Sequence, residues 1–238
     1  MKKLLVLVIA LFFMHPAFAQ DARAICIKIN ELNTAVLNGT IKRPEAANQF
    51  KTLITQLNKQ VRDMPGASDK WVFPLRGYNY HAVGGTNGNG YSDKGYNYLD
   101  GNKHTAHPAQ DIFINDKNQD GLDDKTHKPV DVLTVSDGYV IACSDTWDPT
   151  STLRGGKYIW IYNDYRGLTY YAHNRAIFVK PGDRVTQGQK IAEVGRTGFN
   201  AYKKRSPTHL HFSEFNVDNG IPKPVNPFQK LKNVSISK

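Results

Sequence analysis

A series of short β-type runs, separated by turn residues, constrains this chain more than anything else in it. They lie at 132–135, 139–142, 157–162, 168–173, 176–179, 190–194 and 209–215. Their even spacing, with no long helical pattern between them, argues for a mainly β fold: an antiparallel β-sandwich or a partly closed barrel. The roughly 160 residues that hold them are enough for one core of ordinary domain size.

Upstream the texture differs. From Asp21 to about Met64 apolar residues recur at helical spacing, with Ile25, Ile29, Leu32 and Val36 in one stripe and Phe50, Leu53, Ile54, Leu57 and Val61 in another. Asn38-Gly39 separates the stripes, and Pro44 suits the first turn of the second. The pattern predicts a helical hairpin of roughly forty residues, too small to bury a core by itself. It is expected to pack on the β domain; covering a functional cleft is the other role open to it. Met64-Pro65-Gly66-Ala67-Ser68 marks the change of texture, so the expected segments are 1–19, 20–66 and 67–238.

The first segment reads as an export signal. Lys2 and Lys3 precede an apolar run at 4–14, and Ala17-Phe18-Ala19 offers a cleavage site before Gln20. That run is too short for a spanning helix, and no later stretch is apolar enough to span. No Cys follows the cleavage site, which argues against a lipid anchor there. The expected location is periplasmic or secreted, with no stable membrane insertion after cleavage. Of the formal net charge of +10, only two lysines fall in the leader, so the remainder stays basic and favours polyanionic partners. No nucleic-acid-binding motif is present, and cell-wall polymer or an anionic membrane face is the expected partner of an exported chain. Cys26 and Cys143 are the two cysteines. In an oxidising compartment they can pair, at a gain of about 4 kcal/mol in the chain-entropy model, or remain two buried thiols.

The stretch 77–104 is rich in Gly, Asn and Tyr and includes Tyr78, Tyr80, Tyr91, Tyr96 and Tyr98. A loop of this length is functional or mobile. Its position just before a histidine motif suits a cleft wall whose tyrosines meet substrate, with a hairpin excursion as the other reading. Near the end of the chain stands Thr208-His209-Leu210-His211-Phe212. On a strand, residues two apart point to one face, so His209 and His211 look at one spot while Leu210 faces away. Upstream, His107-Pro108-Ala109-Gln110-Asp111 enters an alternating run at 111–114. Two imidazoles and a carboxylate make three protein ligands and leave the fourth tetrahedral position of zinc open. His173 ends the run 168–173 and approaches His209 if the two strands are neighbours.

Several pieces occur in order: Trp71-Val72-Phe73-Pro74, His107-x-x-x-Asp111, Asp137-Gly138-Tyr139-Val140, Tyr171-Ala172-His173, Val179-Lys180-Pro181-Gly182-Asp183-x-Val185-x-x-Gly188-Gln189, Val194-Gly195-x-Thr197-Gly198 and His209-Leu210-His211-Phe212. With them the chain resembles the lysostaphin-like (LytM-type) zinc metallopeptidases, which cut peptide bonds in bacterial peptidoglycan. The resemblance covers roughly 71–215 and implies a β-sandwich of the duplicated hybrid motif type. It implies that His107, Asp111 and His211 bind Zn2+, and that His173 and His209 act on the activated water and the oxyanion. His209 is the favoured general base because it shares a strand face with His211, though the two roles can be exchanged. The expected function is hydrolysis of peptidoglycan, with stem-peptide crosslinks as the target. A non-catalytic or autoinhibited wall-binding activator of other hydrolases is the alternative.

The chain departs from the family pattern after Asp111, where 115–129 forms a polar insertion. Asp116-x-Asn118-x-Asp120-Gly121 has the oxygen-ligand spacing of a calcium loop, but His127 stands where an EF-hand has its bidentate Glu. Calcium at Asp116, Asn118 and Asp120 is one expectation, and a solvated acidic turn the other. His81, His104 and His127 are read as non-ligands. The hairpin at 179–195 also looks like those of lipoyl and biotinyl domains, but it has no lysine at a carrier position and that reading leaves the histidines unexplained.

Overall fold

The structure, a computed structural model, describes residues 16–61, 70–103 and 105–234. The apolar leader run, the 64–68 punctuation and His104 lie outside the described residues. Two helices come first, α1 (Pro16–Asn38) and α2 (Arg43–Val61). The turn between them follows from Gly39, whose φ of 67° suits a residue without a Cβ. Its N–H donates to Val36 O, and that of Thr40 to Ala35 O, which closes α1 in a Schellman motif.

Nine strands follow: β1 (Gln110–Phe113), β2 (Asp131–Leu133), β3 (Gly138–Ser144), β4 (Lys157–Asn163), β5 (Leu168–Ile177), β6 (Arg184–Val185), β7 (Lys190–Val194), β8 (His209–Asp218) and β9 (Ile221–Val225). A short helix, α3 (Phe228–Lys232), ends the described chain. All pairings are antiparallel. The main path runs β1-β8-β5-β4-β3-β6, with β9 on β8 and the β2–β7 pair joined to β5. The expected β fold is present, but the sheet does not close into a barrel. β5 instead changes partner: Leu168 to Ala172 pair with β8, and residues from Asn174 onward pair with β7. The hinge is His173, at φ 67°. The two runs expected at 168–173 and 176–179 are therefore one bent strand.

Alternation splits the sheet's side chains between two cores. Ile159, Ile161, Tyr171, Leu210 and Phe212 face the first, with Trp71, Phe73 and Leu75. Tyr158, Trp160, Tyr162, Ala172 and Phe215 face the second. The hairpin covers that second face. Ala22, Cys26, Ile29, Leu32 and Val36 of α1 and Phe50, Ile54, Leu57 and Val61 of α2 are buried in it. Among the described residues no helix is long and apolar enough to cross a membrane.

The disulfide reading is corrected: Cys26 and Cys143 are both free. The Cys143 thiol donates to Val179 O at 3.7 Å, while burial pushes the Cys26 thiol up to about 12 and that of Cys143 to about 11. What ties α1 to β3 is a hydrogen bond, from Cys143 N–H to Asn30 Oδ1 at 3.0 Å.

Candidate active site

Three elements converge at the start of β8. Register places Asp111 of β1 opposite His211 and Ala172 of β5 on its other side, so His173 arrives at the same end. His107 is carried in by a two-residue bridge to the tyrosine-rich loop, with Ser92 and His107 exchanging backbone hydrogen bonds of 2.8 Å. Burial of Leu210 and Phe212 in the first core fixes the strand's orientation and turns His209 and His211 to the opposite face.

Asp111 Oδ1 is the centre of the cluster. It lies 3.1 Å from His107 Nε2, 3.2 Å from His211 Nδ1 and 3.6 Å from His209 Nε2. The donor atoms of His107, Asp111 and His211 all lie within 4.8 Å of one another, and among the described residues no other such trio stands out. Two imidazole nitrogens and a carboxylate oxygen so close together suit a divalent cation of zinc's preferences. The other nitrogen of His107, Nδ1, faces Gly90 O at 2.9 Å. A carbonyl only accepts, so Nδ1 carries the proton and Nε2 is left as a ligand atom, the arrangement that orients metal-bound histidines.

His173 and His209 are held alike. His209 Nδ1 donates to Pro207 O at 2.7 Å and His173 Nδ1 to Thr197 O at 2.8 Å, which leaves each Nε2 free to act. Their rings stand 4.9 Å apart and nearly perpendicular. The left-handed backbone of His173 costs on the order of 1–2 kcal/mol for a residue with a Cβ. Its N–H bond to Gly155 O at 2.9 Å holds it there. Gly198 permits the close approach, because a Cβ there would stand 2.8 Å from His173 Nδ1.

Charge is distributed accordingly. Burial works to raise the pKa of Asp111, but the imidazoles of His107, His211 and His209 around it outweigh it and hold the carboxyl well below its ordinary value. Burial pulls His211 down to about 4, against the pull of Asp111. It lowers His173 well below the usual imidazole range, helped by the neighbouring His209 and His211. Both rings are thus neutral at physiological pH.

The cleft in front of these groups encloses about 220 Å³. Arg154, Tyr170 and Asn200 line it beside the histidines. Sequence reasoning missed these three; only Tyr170, in the β-type run 168–173, carried a signal. No residue of α1 or α2 lines this cleft among the described residues. His81 is exposed and stacked on Tyr80, and His127 sits in a turn at φ 54°. Neither joins the cluster.

The calcium expectation is corrected. Asp116 points inward rather than to an ion: its Oδ2 accepts from Thr208 Oγ1 at 2.6 Å and from Gly121 N–H at 2.9 Å, and its Oδ1 from Asp120 N–H at 3.1 Å. Asn118 donates its side-chain amide to Asp120 Oδ2 at 2.8 Å. Arg196 reaches the same Thr208 hydroxyl at 3.1 Å and Ser206 O at 2.7 Å. The insertion thereby braces the residue just before His209. The tyrosine-rich loop is likewise braced, with Tyr98 OH donating to Asn33 Oδ1 of α1 and Tyr78 to Asp123 of the insertion.

Residues 117–227 match the model of Peptidase family M23. The matched stretch holds His173, His209 and His211 and begins just after His107 and Asp111. Over 101 residues the chain is 36% identical to a Pseudomonas aeruginosa protein named Lipoprotein NlpD/LppB homolog. That alignment covers 42% of this chain and 29% of the relative, so the chain spans under a third of that protein's length. Among solved structures, a putative glycyl-glycine endopeptidase LytM from Ruminococcus gnavus aligns over 94% of both chains at 18% identity, with a TM-score of 0.48. The catalytic domain of lysostaphin from Staphylococcus simulans aligns over 56% of this chain and 82% of its own at 26% identity, with a TM-score of 0.39. The family match thus falls on the strands that carry His173, His209 and His211, and it is to peptidase family M23 that this part of the chain is similar.

Proposed function

We infer that this protein is a zinc-dependent endopeptidase that hydrolyses peptide bonds in bacterial peptidoglycan, with stem-peptide crosslinks as its target, in the periplasm or outside the cell. The observation that carries this reading is the five-residue cluster: three donor atoms within 4.8 Å of one another, faced by two imidazoles whose Nδ1 atoms are tethered. His107 Nε2, Asp111 and His211 Nδ1 would hold the metal. Zinc, when bound, supplies a Lewis acid that polarises a peptide carbonyl and brings water toward a pKa of about 7.

The chain's own groups do the rest. His209, fixed by Pro207 O, presents Nε2 as the base that takes a proton from water and later returns one to the leaving amine. His173 presents its unprotonated Nε2 from the other side, where it accepts a hydrogen bond from the water and orients it. The leader-like N-terminus and the basic charge support an exported enzyme acting on an anionic wall polymer. A non-catalytic activator finds no support in a site with all five groups present, and the hairpin stands outside the cleft.

The test is direct. Zinc-loaded protein incubated with purified peptidoglycan is expected to release fragments with new peptide termini, identified by mass spectrometry. Equal release by His209→Ala would remove the mechanism.

A further inference from the structure

The histidine face of β8 does not end at the cleft. Alternate residues on a strand point the same way, so His209, His211, Ser213 and Phe215 form a row. Beyond His211 this row is roofed by Asn33, Val36 and Leu37 of α1, with Tyr98 and Trp160 beside it and Pro108, next to His107, at its edge. These groups line a second, partly open cavity of about 70 Å³. Tyr170 and His211 line both it and the cleft, and so form their common wall. Gly101 allows the roof to close. At φ 56° it lies against α1, where a Cβ would come within 2.4 Å of Val36 O.

The polar groups of the roof are already paired. Asn33 Nδ2 donates to Tyr158 OH at 2.8 Å, and Asn33 Oδ1 accepts from Tyr98 OH at 3.1 Å. Ser213 differs: it is 1% exposed, and its Oγ has no hydrogen-bond partner among the described residues. Buried hydroxyls are normally satisfied, so a lone one at the wall of a cavity marks a place for a ligand's polar atom.

We propose that this cavity is a subsite of the peptidase cleft that takes an alanine-sized side chain of the substrate, from a residue one or two positions from the scissile carbonyl, with Ser213 Oγ bonded to that residue's backbone. The proposal rests on the endopeptidase reading and adds a size limit to it. Ser213 lies about 7 Å along β8 from His211, two residues of strand, which matches the reach of an extended peptide over that interval. The aromatic walls suit a methyl group, and the volume excludes a leucine or phenylalanine side chain. The size limit is set by α1, so the N-terminal hairpin acts as a specificity element of the catalytic domain.

The test uses zinc-loaded protein and a ladder of crosslinked peptides in which each residue flanking the cut bond is in turn Ala, Val, Leu or Phe. At one position kcat/KM is expected to fall at least about tenfold from Ala to Leu, the scale of discrimination that a side-chain pocket of limited size gives. Val36→Ala should enlarge the cavity and narrow that gap several-fold. Ser213→Ala, which removes one atom and leaves the packing, should keep the ladder and raise KM for the Ala peptide. A flat ladder in a protein that cleaves every peptide would overturn the subsite and leave the endopeptidase reading intact. A ladder unchanged in Val36→Ala would assign the preference elsewhere and also overturn it. Cleavage of none of the peptides would end both.

Discussion

His209 and His211 are two residues apart on one strand, yet their ring nitrogens have different surroundings because their neighbours differ. His211 turns Nδ1 to Asp111, whereas His209 has Nδ1 fixed by Pro207 O and only Nε2 to offer. His209 Nε2 is also farther from Asp111 Oδ1, at 3.6 Å against 3.2 Å. Metal binding and proton transfer should therefore separate by mutation. His107→Ala and His211→Ala are expected to lose zinc on dialysis, as read by elemental mass spectrometry. His209→Ala should keep about one zinc per chain while turnover drops roughly 10²- to 10⁴-fold, the range typical of a removed acid–base group. Zinc loss from His209→Ala equal to that from His107→Ala would put His209 among the ligands.

At the scale of elements, the pair β2 and β7 is short and leans on charge. Lys190 Nζ of β7 lies 2.7 Å from Asp131 Oδ1 of β2, and Arg76 Nε lies 3.0 Å from Asp131 Oδ2. Partial burial works to raise the pKa of Asp131, but the hydrogen bonds from Lys190 and Arg76 outweigh it and hold the carboxyl below its ordinary range. A depressed folded pKa gives stability that is present above the unfolded value, about 3.9, and lost as pH falls through the folded one. Asp131→Asn is thus expected to lower the melting temperature near pH 7, by the modest amount that exposed pairs give, about 0.2–1 kcal/mol. The difference from the parent protein should shrink below about pH 4; one that persists unchanged to pH 2.5 would assign it to packing. These elements also mark how far the sequence could be read. The strands at 157–162, 190–194 and 209–215 were legible because each alternates between two buried faces. β9 was not, since Pro222 and Pro224 argue against a strand; they are tolerated on this edge, where β8 is its partner. The bend in β5 depends on a left-handed histidine, a conformation that composition does not announce. In the site, His107, Asp111 and His211, named through the family resemblance, are brought together by the fold, while Arg154 and Asn200 reach the cleft from irregular loops with no periodicity to give them away.

At the scale of the whole molecule, the question is whether the N-terminal hairpin is a lid or a wall. Apolar side chains of both helices meet Tyr139, Ile141, Trp160 and Phe215 of the sheet in one continuous core, on the face that becomes the active site a few residues further along β8. A lid could be removed with a gain in turnover. A wall could not, because its loss would bare a broad aromatic face of a kind that drives aggregation. Shortening the chain to residues 70–238 should accordingly give a protein that binds a hydrophobic dye, aggregates and melts far below the parent. A milder probe is Leu57→Ala, on α2 and fully buried but away from both cavities. It is expected to cost about 2–5 kcal/mol, a drop of roughly 2–4 °C in melting temperature for each kcal/mol, with kcat/KM nearly unchanged well below the transition. If the shortened chain instead stays folded and cleaves faster, the hairpin is an inhibitory cover and the two-core description of the fold fails with it.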